Sequence, residues 1–506
     1  MWYPFGVGAQ RRHGGAVGFG CPSSVAGLSL HRMIANFRHL ENLDVAVSGL
    51  DSALGFTKAE QIINLSKPTT SGDDDLSWSG FVSTIKGDKG GTSVKIYALS
   101  DTTGTEADYF RPVDLSYQLE YDGQGHEIEG VAVNYTADAG LFGKISVDGS
   151  KVSNLKLIDF NIATSSGNAG ALVGKLAQKT SLGNGVFNVS NVVAYNTGNG
   201  TDATIKTDSG NAGGLIGQIV GDEAATASDK TAKAVIQKSA AALIVSATGG
   251  NAGGLIGKST STGTVSGCYA GGHTIESGEA VIYSDTAFNV TATRAEGATT
   301  GGIAGGLIGD AGSTAISYSY STCSAKGVTV GGLIGTGSGA INDSYCTGKV
   351  SGTTQGAFAG ACGTTTDCHY YEIVNEYTDA DGGYGYLLPV PKENTSDGTG
   401  KPSGIKAIDE TAQSYNEFCG AAKDSQGKDL WNPANPYDAK LTEYYNGRYN
   451  LETVEQLGAS ITKNSGADGD TTVTDFVATH YGDWPVPEIF VVNTKGTNAT
   501  PATPTP

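Results

Sequence analysis

The sequence predicts an all-β chain built as a solenoid of stacked coils, with a small α/β cap before it and a small domain after it. Three observations carry this. A glycine-cornered block recurs seven times, segments of strand periodicity lie between the copies, and the composition is rich in turn formers. Gly makes up 75 of 506 residues, while charged residues reach only 16%. Short apolar runs cut by Gly, Ser, Thr, Asn and Asp favour many short strands and tight turns over long helices.

The block reads DAGLFGK (138–144), NAGALVGK (168–175), NAGGLIGQ (211–218), NAGGLIGK (251–258), IAGGLIGD (303–310), TVGGLIGT (329–336) and, degraded, QGAFAGA (355–361). Its first large apolar residues are Leu141, Leu172, Leu215, Leu255, Leu307, Leu333 and Phe358. Their spacings are 31, 43, 40, 52, 26 and 25 residues. A fixed core with variable gaps means one repeated unit carrying insertions of different length. Between the blocks lie SKVSNLKLIDFNI (150–162), FNVSNVVAYNT (187–197), GTVSGCYAGG (263–272), TAISYSYSTCSAKG (314–327) and GAINDSYCTGKVSG (339–352). These alternate apolar and small polar residues, which is strand periodicity. One such unit cannot bury its apolar face alone. Stacked about 4.8 Å apart, every strand gains hydrogen-bonded neighbours and each block Leu lies on the next. Each buried side chain of this kind is worth about 1.5–3 kcal/mol. The block glycines are expected to turn corners at positive φ, and the Asn heading three copies to tolerate the left-handed region next best. A phosphate-cradling role is disfavoured, because no Lys-Ser/Thr pair and no helix follow the glycines.

The blocks, alternating with strands such as VSNVVAYNTG (189–198), resemble the GLUG motif of large bacterial surface proteins. YDGQGHEIEGVAVN (121–134) followed by AGLFG resembles the entry coil of such regions. The resemblance covers residues 107–372 and implies a right-handed parallel β-helix. It also implies an extracellular, adhesin-like protein on a bacterial cell surface, of a kind that also occurs beside protease domains in long secreted proteins. The motif carries no catalytic residues that could be transferred.

Around the repeats, residues 1–30 read as an atypical N-terminal segment with little ordering pattern and no signal-peptide h-region. Residues 31–106 read as an N-terminal cap. Ile34, Phe37, Leu40 and Leu43 share one face of a short helix, KAEQIINLS (58–66) suits a helix or a strand, and 81–99 reads as strands. A solenoid needs such an end cap, since its first coil otherwise exposes apolar side chains and unpaired backbone. Residues 373–490 form a C-terminal cap or small domain, with a Tyr-rich start (369–390), a helical NLETVEQLG (450–458) and an aromatic ATHYGDWPVPE (478–488). Endings of the form YDA…HYGDWP resemble those beside GLUG regions in surface proteins of gut bacteria. Residues 491–506 are a Thr/Pro-rich linker.

The net charge of −19 disfavours nucleic acid and anionic membrane surfaces as partners. No run of 18 apolar residues offers a membrane span. Of the seven cysteines (21, 268, 323, 346, 362, 368 and 419), an odd number leaves at least one unpaired, and no CxxC suggests zinc. They read as small packing residues, with Cys362 and Cys368 as the first pair to test for a bridge. No HExxH or GxSxG elbow occurs, and His126 is expected to pack or hydrogen-bond in the entry coil. Asp159, Asp202, Asp310, Asp343 and Asp367 fall at unmatched phases of the repeat. Asp73, Asp74 and Asp75 are the densest acid run. DADGG (379–383) starts like a calcium loop, but Tyr384 and Val390 stand where Gly and Glu are needed, so a solvated turn competes with a loose site on Asp379 and Asp381.

Tyr269, Tyr320, Tyr345 and Tyr370 recur at similar phase. They form either a packing ladder under the loops or a strip that stacks sugars or binds protein. The expected function is therefore non-catalytic and adhesin-like, with no cofactor and with a host or microbial glycan or surface protein as partner. The competing reading is a β-helix glycosidase or lyase acting on polysaccharide, which needs two or three acids close together on one face. A purely architectural spacer is a third.

Overall fold

The computed structural model describes residues 111–408 except 116, 124, 147–148, 178–185, 197–203, 222–232, 272–273, 277–278, 282–288 and 379–380, together with strands Glu60–Leu65, Ser93–Ala98 and Thr102–Thr103. Apart from Glu60, every described residue belongs to one unit, which falls within residues 61–506. The predicted helix over 34–43, Asp73–Asp75, Asp202, Asp379, residues 409–490 and the linker lie outside the described residues.

The described residues of this unit form a parallel β-helix. One coil runs Phe187–Tyr195, then Thr204–Thr207 and Ala212–Gly213, then Ile216–Val220, and returns at Ala234–Gln237. These are three faces. The strands of the three faces pair in parallel with their counterparts in adjacent coils, giving sheets of 18, 11 and 8 strands among the described residues.

All seven anchor residues stand in one row. Leu255 N donates to Leu307 O at 2.8 Å, Leu307 N to Leu333 O at 2.8 Å and Leu333 N to Phe358 O at 2.8 Å. Each of the seven is at most 1% exposed. The uneven block spacing also resolves. The long step from Leu255 to Leu307 contains the antiparallel hairpin Thr274–Glu276/Glu279–Val281 and the bend at 294–302. In the two shortest steps the second face runs without interruption, as Ala325–Gly331 and Val350–Gly356.

The glycines have a different role from the one expected. None in the blocks from Gly170 to Gly360 has positive φ. They are small because backbones meet there. A Cβ on Gly257 would stand 2.6 Å from the carbonyl oxygens of both Ala212 and Gly217. One on Gly214 would strike the Gly254 carbonyl. Gly257→Ala is expected to cost about 1–3 kcal/mol through forced backbone displacement, seen as a lowered Tm in a thermal melt. An unchanged Tm would mean that the coils do not stack this closely.

The left-handed corner lies instead in the middle of the first face. Asn154, Asn191, Lys238, Gly267, Tyr318, Asp343 and Asp367 all have φ between 45° and 61°. The strand register puts them at one position in successive coils. Asn, Asp and Gly bear this conformation most easily, which explains the Ser-Asn, Ser-Gly and Asn-Asp pairs of the inter-block segments. The kink interrupts the backbone ladder, and serines repair it. Val192 N donates to Ser239 Oγ at 3.2 Å and Cys268 N to Ser319 Oγ at 3.1 Å.

The block-heading asparagines are not left-handed either. They form an amide ladder. Asp138 Oδ1 accepts from Asn168 Nδ2 at 2.7 Å, Asn168 Oδ1 from Asn211 Nδ2 at 2.9 Å, and Asn211 Oδ1 from Asn251 N at 3.1 Å. The row ends where Ile303 takes the next position.

The solenoid extends past both predicted boundaries. Upstream, Ser93–Ala98 pairs with Leu119–Asp122 and Thr102–Thr103 with Ile128–Glu129. Downstream, Phe358 N donates to Pro389 O at 2.9 Å, Val390 is fully buried, and Ile405–Ile408 pairs with Cys368–Tyr371. The described part of the C-terminal segment thus covers the last coil by continuing it.

Candidate functional site

The four tyrosines singled out from the sequence do not form an accessible strip. Tyr269, Tyr320 and Tyr345 align across successive coils. Their ring centroids are 4.6 and 4.8 Å apart, and all three are at most 1% exposed. The strand neighbours Cys268 and Ala270 belong to the core, so alternation puts the Tyr269 ring on the other side of the strand, where it is buried all the same. Its hydroxyl bonds Thr322 Oγ1 at 2.9 Å, and desolvation raises its pKa. Tyr370 is out of step: His369 holds the register position after Tyr345, while Tyr370 aligns with Cys346 and packs into the core. As a binding surface these four residues are a wrong expectation, because sequence phase does not show what covers a side chain.

The exposed aromatics lie further along the chain. Among the described residues the exposed large hydrophobic side chains are Tyr377, at 48%, and Tyr384, at 63%. Both belong to a two-stranded hairpin, Glu376–Thr378 with Tyr384–Tyr386. Alternation puts Glu376, Thr378, Tyr384 and Tyr386 on one side and Tyr377 on the other. The Tyr384 and Tyr386 rings meet edge to face at 5.3 Å and 85°, and their hydroxyls are 3.2 Å apart. A hydrogen bond from the Tyr384 hydroxyl to the Glu376 carboxylate raises the tyrosine pKa, with Tyr386 adding to it. Tyr377 lies over Gly385, where a Cβ would stand 3.0 Å from its ring. The turn includes Gly382 at φ 80°. Asp381 is exposed beside it. The sequence did hold a signal for this element: Tyr377 before DADGG and the alternating Tyr384 and Tyr386 after it fit a strand–turn–strand pattern.

The remaining candidates take structural positions. His126 N donates to Gly123 O at 2.9 Å, its carbonyl accepts from Lys156 N at 3.2 Å, and Glu127 pairs with the buried Lys156 ammonium at 2.9 Å. Asp310 pairs with Lys258 at 3.2 Å, and Asp159 holds a left-handed corner at φ 54°. The phases of two acids do match, against expectation: Asp343 and Asp367 occupy the same corner in consecutive coils. Cys362 and Cys368 are not bridged, and Cys268, Cys323 and Cys346 are also free thiols. All of these but Cys362 are buried. Among the described residues no helix is long and apolar enough to cross a membrane.

No protein-family model and no curated protein matches the chain, so the GLUG resemblance rests on the repeat itself. The chain is similar in structure to a crystallised protein from Bacteroides ovatus described as a "putative immunoglobulin A1 protease". The match has 18% identity and a TM-score of 0.37, and it covers 68% of this chain and 87% of that one. A likeness of this degree carries no argument about activity.

Proposed function

We propose that this chain is a non-catalytic, adhesin-like protein of a bacterial cell surface, in which the solenoid is a stiff shaft and the 376–386 hairpin meets a glycan or protein partner. The observation that carries this reading is the pair of solvent-exposed tyrosines, Tyr377 and Tyr384, on one short hairpin at the end of the coils. Amphipathic aromatic rings give large contact area at small entropic cost and are enriched where proteins bind. The repeat architecture and its GLUG resemblance agree with an extracellular setting.

The experiment is binding of the full chain to immobilised glycans and matrix proteins, with Tyr377→Ala/Tyr384→Ala as the comparison. Specific binding that the double variant loses, at unchanged Tm, is expected. No binding to either array, together with cleavage of a polysaccharide, would overturn the reading.

A second reading has one observation in its favour. Asp343 and Asp367 hold the same corner one coil apart, and a polysaccharide-cleaving site needs two acids on one face. Corner geometry alone already accounts for both acids, so the binding reading is preferred. A polysaccharide-cleaving activity abolished by Asp343→Asn would reverse that preference.

A further inference from the structure

We propose that the hairpin selects uncharged glycans and rejects sialylated, sulfated or uronate-bearing ones; this rests on the binding reading above. Three features support it. The first is size. The face of these two three-residue strands that carries Tyr384 presents two rings and one carboxylate, far less than the roughly 800 Å² per partner of a stable protein–protein interface. One or a few sugar rings fit that area.

The second is chemistry. The C–H face of a pyranose is apolar and slightly positive, which suits the negative face of an aromatic ring. Tyr384 offers such a ring at 63% exposure, held at 85° against Tyr386. The Glu376 carboxylate and the two tyrosine hydroxyls stand beside it as hydrogen-bonding groups for sugar hydroxyls.

The third is charge. The described residues of the hairpin carry Glu376 and Asp381 and no Lys or Arg, in a chain of net charge −19. An anionic sugar placed on Tyr384 would lie against the Glu376 carboxylate with no cation from the hairpin to meet it. Like charges at an interface suppress the wrong partner.

The test uses the full chain on matched glycans, each as the neutral form and as its sialylated or sulfated counterpart, at low and high salt. Neutral glycans are expected to bind and their anionic counterparts at least about tenfold more weakly, a gap that narrows as salt screens the charges. Glu376→Gln narrows the gap at constant salt. Tyr384→Ala loses about tenfold or more for neutral glycans, with the thermal melt unchanged. Equal or tighter binding of the anionic forms, or neutral binding that Tyr384→Ala leaves intact, overturns the proposal. Binding to a matrix protein through the hairpin with no glycan bound overturns this proposal and leaves the adhesin reading standing. No binding of any kind ends both.

Discussion

Above pH 9 the solenoid is expected to lose stability steeply. Cys268, Cys323 and Cys368 are buried in the core, and desolvation pushes each thiol up from 9.0 to about 12. Cys346 is driven well above its ordinary value for the same reason. Folded and unfolded thiols are both protonated below pH 9, so nothing is lost there. Above it the unfolded thiols ionise while the folded ones hold their protons, and the unfolded state is favoured by on the order of 1.4 kcal/mol per thiol per pH unit until the folded thiol titrates. Tyr121 and Tyr269, raised from 10.0 by burial, join from about pH 10. Against a total stability of about 5–15 kcal/mol, this many groups should bring unfolding before pH 12. Circular dichroism against pH would follow the loss of strand signal, with tyrosinate absorbance rising at the same midpoint. Replacing Cys268, Cys323 and Cys368 by Ala together should flatten the pH slope even though the cavities lower Tm. A slope unaltered in that variant would show that the thiols are not responsible. On the acid side the sign reverses for His369, which burial lowers from 6.5 to about 4. It supports the fold fully above pH 6.5, and its contribution fades as pH falls toward 4.

How far the sequence could be read depends on whether one coil is enough to see the cause. The row from Leu141 to Phe358 was legible because identity and spacing both repeat, and stacking is the arrangement that buries all seven. The glycines were legible as necessary but not for the right reason. One block suggests a turn, whereas the obstacle to a side chain on Gly257 is the backbone of the preceding coil. The asparagine ladder hid in the same way, since Asn211 shows its purpose only beside Asn168 and Asn251. The true corner was written in plain form as Ser-Asn at 153–154 and 190–191, and was obscured where Lys238 and Tyr318 occupy it. The candidate site was least legible. Tyr320 and Tyr384 look alike in sequence, and only the folded surroundings separate a buried ring from an exposed one.

Leu255→Ala tests the mechanical basis of the whole fold and should cost about 2–5 kcal/mol, since the removed atoms leave a cavity that rigid neighbours fill only in part. Leu255 is fully buried, and its backbone is bonded between Leu215 on one side and Leu307 on the other. A solenoid's stability is close to a sum of coil terms and interface terms between neighbours. A void at this position therefore weakens two interfaces and not one. Hydrogen exchange should quicken at Ile216–Val220 and Ile308–Asp310, the third-face strands paired with Ile256–Ser259, before it quickens at Val113–Leu115 at the far end. Val235→Ala is the matched control, because Val235 sits half-buried on the first face outside the core and should change stability by under about 0.5 kcal/mol. If both variants melted alike, or if exchange rose evenly along the coils, the leucines would not be the axis that holds them together.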